Sequence, residues 1–264
     1  MRVGWLTDIH LNFLPPEARS DFYRRIADEK LDAILIGGDI GEAESVAPML
    51  AEFAATVSVP IYFVLGNHDF YRGSIAGVRN LIRRHCASTR WLHWLPDTGV
   101  VPLTVNTALI GHDSWADGRL GDYAGSGVML NDYVLIEELR GLSKQERFGK
   151  LNELGDEAAL YLEDQARQAL TYWKNVVVLT HAPPFRESCR HEGRISNDHF
   201  LPHLGCHAVG ERLKRMMRQH PESNMTVLCG HTHGASEAQI LDNLLVLTGG
   251  AAYGKPELQR LFDF

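Results

Sequence analysis

Ile34-Leu35-Ile36-Gly37-Gly38-Asp39 is an unbroken apolar run that stops on two glycines and a carboxylate. Consecutive branched aliphatics without polar alternation are what a strand covered on both faces requires. The glycines let the backbone turn sharply or approach something bulky, so Asp39 is delivered at the carboxyl end of a buried strand. The same pattern recurs on either side. Val3–Thr7 leads into Asp8-Ile9-His10, and Ile61–Leu65 into Gly66-Asn67-His68-Asp69. Val176–Leu179 leads into Thr180-His181, and Thr226–Cys229 into Gly230-His231-Thr232-His233. In open α/β sheets, loops at the carboxyl ends of neighbouring strands converge on one ligand site. Five such loops therefore predict a single centre.

The remaining sequence fits an α/β alternation. Strands are expected at 2–7, 33–36, 60–65, 107–111, 176–180, 226–229 and 244–248, and helices at 16–29, 43–56, 74–86, about 155–173 and 207–219. Ala159, Leu162, Ala166, Ala169, Leu170 and Trp173 keep a helical stripe in the fourth helix. Residues 112–155 break the alternation, with five glycines between 118 and 141, and read as an insertion or lid on a single domain spanning 1–264.

Composition narrows the class of function. The 264 residues are 45% hydrophobic and 22% charged, which excludes disordered, collagenous and coiled-coil chains. The net charge of −7 argues against a duplex nucleic acid partner. No apolar run approaches the roughly 18 residues that span a bilayer. The four cysteines form no CxxC pair, and the N-terminus runs straight into strand-like sequence; a cytoplasmic location is expected.

The ligand types define the centre. Asp, His and Asn together, with no thiolate, suit divalent first-row transition ions better than calcium or a structural zinc. There are too many ligands for one ion. Two ions sharing a carboxylate would use them all, and a pair roughly 3.5–4 Å apart is the usual arrangement for hydrolysing phosphate esters. On an extended backbone, Asp8 and His10, and likewise His231 and His233, would project to one side.

The ordered set DxH, GGD, GNHD, H and GHxH resembles the calcineurin-like metallophosphoesterase superfamily, over nearly the whole chain. The resemblance implies a four-layer α/β/β/α sandwich of two mixed sheets, with the centre at one edge. It implies that Asp8, His10 and His233 hold one divalent transition ion (Mn, Fe, Zn, Co or Ni), that Asn67, His181 and His231 hold a second, and that Asp39 bridges them. His68 matches the catalytic histidine that contacts phosphate and protonates the leaving oxygen, and a metal-bridging hydroxide would attack phosphorus in line. Phosphoprotein phosphatases of the superfamily extend GD into GDxxDRG; here the run is Gly38-Asp39-Ile40-Gly41-Glu42-Ala43, so Glu42 is the candidate for orienting His68 and the arginine is missing. That departure and the terminal GHxH favour a small phosphodiester, a cyclic nucleotide or similar, as substrate. The alternatives are a phosphomonoesterase, a nuclease or a silent metal-binding scaffold. Trp115 and Tyr123, in the insertion, are candidate stacking residues for the substrate, and His112, Asp113 and Arg72 are candidates to line the site.

Overall fold

The strand Ala33–Gly37 is buried at every position, which is why it carries no polar side chain. The computed structural model describes all 264 residues. Its strands are β1 (Arg2–Leu6), β2 (Ala33–Gly37), β3 (Ile61–Val64), β4 (Leu92–Trp94), β5 (Val101–Pro102), β6 (Thr107–His112), β7 (Asn175–Thr180), β8 (Arg190–His191), β9 (Arg194–Ile195), β10 (Asn224–Cys229), β11 (Ser236–Leu241), β12 (Leu244–Thr248) and β13 (Arg260–Asp263). The helices are α1 (Pro16–Asp28), α2 (Val46–Val57), α3 (Ile75–Ser88), the short α4 (Leu95–Thr98) and α5 (Asp132–Leu135), α6 (Lys144–Tyr172) and α7 (His207–Gln219).

Two mixed sheets result. One has the order β13-β1-β2-β3-β4, the other β11-β12-β10-β7-β6-β5, and β8-β9 is a separate hairpin. Strands β1 to β4 are parallel, with β13 antiparallel at the edge. In the second sheet β6, β7, β10 and β12 are parallel, with β5 and β11 as antiparallel edges. Side-chain alternation packs the layers. Trp5 and Leu35 of the first sheet meet Val177, Leu179 and Leu228 of the second in a shared core. Ile34 and Ile36 face the other way, towards Phe22 of α1 and Phe53 of α2. Val176 and Val178 likewise turn outward onto Leu162 of α6 and Leu213 of α7. Helix, sheet, sheet and helix thus form the four layers. Each buried branched aliphatic contributes about 1.5–3 kcal/mol, so the three interfaces hold the parallel strands in one direction and bring their carboxyl ends to one rim.

Several boundaries depart from expectation. The second helix starts at Val46, not at 43. The helix expected near 155 starts at Lys144, and Ser143 and Glu146 close a capping box at its head. That S-x-x-E signature was legible, but Gly149 and Gly155 obscured the period behind it. Strands β4, β5, β11 and β13 escaped prediction because they are short or lie at sheet edges, where one flank needs no apolar cover. No helix is long and apolar enough to cross a membrane.

Candidate metal centre

The five motif loops meet at the shared rim of the two sheets. Main-chain bonds lace them together: the Asp8 amide donates to the Gly38 carbonyl at 3.0 Å, His10 to Asp39 at 2.9 Å, and Gly230 to His181 at 2.9 Å. Asp69 ties two loops from behind. Its carboxylate accepts from the amides of Ile40 (2.9 Å), Gly41 (2.8 Å) and Gly66 (2.8 Å). Asp113 braces the same region, accepting from the Leu65 amide at 2.8 Å, Trp94 Nε1 at 2.9 Å and Arg79 Nε at 3.1 Å. Glycine is required where these loops touch: a Cβ at Gly66 would lie 2.2 Å from Asp39 Oδ1, and one at Gly230 1.9 Å from Asp8 Oδ2.

Strand alternation is not what converges the ligands. Asp8 (φ 50°), His10 (39°), Asp39 (53°), His231 (69°) and His233 (57°) all adopt left-handed backbone beyond the strand ends. They are five of the ten non-glycine residues with positive φ. Such conformations cost roughly 1–2 kcal/mol each for an ordinary L-residue and concentrate where function demands them. The i, i+2 pairs therefore converge through paired left-handed turns, not an extended backbone.

In one half of the site, ligand atoms of Asp8, His10, Asp39 and His233 all lie within 4.8 Å of one another. His10 Nε2 is 3.1 Å from His233 Nε2 and 3.8 Å from Asp39 Oδ2, and His233 Nε2 is 3.5 Å from Asp8 Oδ1. In the other half, His181 Nε2 is 2.9 Å from Asn67 Oδ1 and 3.4 Å from Asp39 Oδ1. The rings of His181 and His231 are 5.0 Å apart. Asp39 reaches both halves, one oxygen to each. All seven predicted ligands come together.

The hydrogen-bond partners indicate which ligand atoms keep a lone pair for a cation. His181 Nδ1 donates to the Gly37 carbonyl at 2.8 Å, so its Nε2 carries a lone pair. Asn67 Nδ2 donates to Asp132 Oδ1 at 2.8 Å, which turns Oδ1 inward. Three acceptor atoms, His181 Nε2, Asn67 Oδ1 and Asp39 Oδ1, then face each other. Electron-rich atoms packed this way fit a cation. His231 Nε2 donates to the His203 carbonyl at 3.0 Å, leaving Nδ1 as its free lone pair. Titration agrees. Burial, opposed by Asp8, pulls His10 and His181 down to about 3, so both imidazoles are neutral and able to ligate. Burial and the adjacent Asp8 and Asp69 push the Asp39 carboxyl well above the usual range, a charge that divalent ions would stabilise.

His68 sits beside this cluster. Its amide donates to Asp39 Oδ1 at 2.9 Å, its Nε2 is 4.0 Å from Asp39 Oδ2, and its ring stacks on Tyr71 at 4.3 Å. Burial, with His231 and His233 nearby, lowers it to about 4. Glu42 does not orient it. The Glu42 carboxylate pairs with exposed Arg72, and His68 Nδ1 has no hydrogen-bond partner. Arg72 is correspondingly turned away from the cleft.

Four further residues depart from expectation. Trp115 and Tyr123 are only 5% and 8% exposed and belong to the core. Trp115 packs on Phe70 and Tyr123 on Phe148, because burying that much aromatic area outweighs keeping it at the surface. His112 accepts from the Ser114 amide and lies off the cleft, and Asp113 is the brace described above. The 112–155 segment contributes instead through Asp132, which sequence reasoning missed. Buried, it accepts from Asn67 Nδ2 and from the Tyr71 hydroxyl at 2.7 Å. No local signal marks it, because its partner lies 65 positions away.

The centre opens into a cleft of about 280 Å³. Asp39, Asn67, His68, His231 and His233 form its floor, and Leu130, Asn131, Asp132, His191, Leu204 and Tyr253 form its walls. No lysine or arginine lines it.

A family model described as calcineurin-like phosphoesterase matches residues 1–235. Two solved structures share the fold. Phosphopantetheinyl hydrolase from Mycobacterium tuberculosis superposes with a TM-score of 0.61 at 14% identity, over 94% of this chain and 89% of its own. A dimetal phosphatase from Danio rerio gives 0.60 at 15%, over 97% and 89%. No curated protein matches the sequence.

Proposed function

The chain belongs to the calcineurin-like phosphoesterase family and is a metal-dependent phosphoester hydrolase, and we propose that its substrate is a small phosphodiester. The absence of lysine and arginine from the cleft carries this reading. A phosphomonoester is largely a dianion at pH 7, and its extra charge calls for a positive side chain such as a bidentate arginine. A diester carries one negative charge and needs none. A cleft of about 280 Å³ also suits a small molecule better than a polymer.

In this reading Asp8, His10, Asp39 and His233 would hold one divalent ion, and Asn67, His181 and His231 a second, with Asp39 serving both. Bound there, the ions would supply Lewis acidity. The protein's own groups do the rest. Gly37 and His203 fix the tautomers of His181 and His231 through their carbonyls. Asp132 fixes the Asn67 amide. His68 faces the cleft as a neutral imidazole. An anionic ester beside it favours its protonated form, which then gives the proton to the departing alkoxide.

Metal-reconstituted protein assayed on bis(p-nitrophenyl) phosphate and p-nitrophenyl phosphate tests the preference. The diester should have the higher kcat/KM. A higher value for the monoester would overturn the diester reading and leave the family assignment standing.

A further inference from the structure

Two large rings stand at the mouth of the cleft, and neither belongs to the five motif loops. Phe13 lies in the turn after His10, and Tyr253 in the loop between β12 and β13; each is 51% exposed. Their ring centroids are 4.7 Å apart, tilted by 45°. Tyr253 overhangs the centre, 4.6 Å from the His10 ring, 5.2 Å from His233 and 6.1 Å from His68. Beyond the pair, a second open depression of about 510 Å³ runs past Leu14 and Gly254. The rings therefore form a ridge with room on either side, and nothing in the fold covers it.

We propose that Tyr253, backed by Phe13, is the subsite for a flat, uncharged aromatic substituent carried by the phosphoester. This inference rests on the phosphoester reading of the same cleft. An ester whose phosphorus lies between His68 and His233 must pass its substituents along the cleft walls. Tyr253 is the wall residue that overhangs both rings, and it offers a π-face. No lysine or arginine lines the cleft side of the ring pair to attract a second anionic group there; Arg25 and Lys255 line only the depression beyond it. Aromatic faces left half in water favour another flat ring over an alkyl chain, because stacking adds to the area buried.

The test uses two non-hydrolysable monoanions with the same charged head, methyl(phenyl)phosphinate and dimethylphosphinate, titrated calorimetrically into manganese-reconstituted protein. Methyl(phenyl)phosphinate should bind the parent roughly 5- to 10-fold more tightly than dimethylphosphinate. Tyr253→Ala should reduce that ratio to within twofold with dimethylphosphinate affinity and melting temperature near the parent's, and Tyr253→Phe should keep it. A parent ratio near one, or a ratio that survives Tyr253→Ala, would overturn the subsite, as would an equal loss of both ligands. Failure of both phosphinates to bind the parent would instead overturn the reading of the cleft as a diester site, and the subsite with it.

Discussion

The two halves of the centre are built differently. The Asp8–His10–His233 half closes on itself, with four donor residues packed within 4.8 Å. The Asn67–His181–His231 half leans on outside partners. His181 is held by Gly37 O, His231 by His203 O, and Asn67 by Asp132 from the insertion. Where ligands crowd together, each restricts its neighbours. Where they are spaced, their orientation must come from the surroundings, and ion geometry depends on residues that never touch the ion. Asp39 alone belongs to both halves.

Asp39→Ala should erase the difference between the halves. Both ions should leave and hydrolysis should stop, read by elemental analysis beside turnover; two retained ions with normal turnover would break the assignment. His68→Ala should spare both halves and slow turnover by roughly 10²–10⁴. The loss should shrink for esters of p-nitrophenol, which need protonation least, and an equal loss on poor leaving groups would assign His68 to binding alone. Asp132→Ala should act on one half only, weakening one ion by roughly 10- to 100-fold. Glu42→Gln should change kcat by less than about twofold, since Glu42 faces Arg72 at the surface.

A pH series on chelator-treated protein probes the packing of the His203 side chain, next to the carbonyl that supports His231. Burial, with Arg147 and Lys144 nearby, holds His203 at about 4 in the fold, against 6.5 in the unfolded chain. The unfolded chain therefore takes up a proton first as the pH falls. This contribution is complete above pH 6.5 and is lost between 6.5 and about 4. His203→Gln should show a shallower fall in melting temperature over that window, and parallel curves would show that His203 does not contribute.

The strand-end motifs were legible because each joins a buried apolar run to a short polar stop, and both parts are local. The strands and the polar clusters at their ends follow from that; the sandwich and the division of ligands between two ions came from the resemblance that the ordered motifs carry. The mode of convergence was not legible, because left-handed turns at Asp8 and His231 arise from contacts between loops far apart in sequence. Asp132 and the His203 carbonyl were hidden for a related reason: one is an unremarked acid in irregular sequence, the other a main-chain atom with no signature at all. Trp115 and Tyr123 misled in the opposite direction. A large ring in a glycine-rich segment suggests a platform, yet the same ring gains most from burial. Exposed aromatics do border the cleft, but they are Phe13 and Tyr253, and Tyr253 lies beyond the last motif.

The asymmetry of the halves is tested most directly by titrating manganese into metal-free parent and metal-free Asp132→Ala while counting bound ions per chain. Two ions should bind the parent, and in the variant one should keep its affinity while the other weakens by roughly 10- to 100-fold. One ion per parent chain, or equal weakening of both in the variant, would contradict a dinuclear centre with one self-supported half and one half held by the insertion.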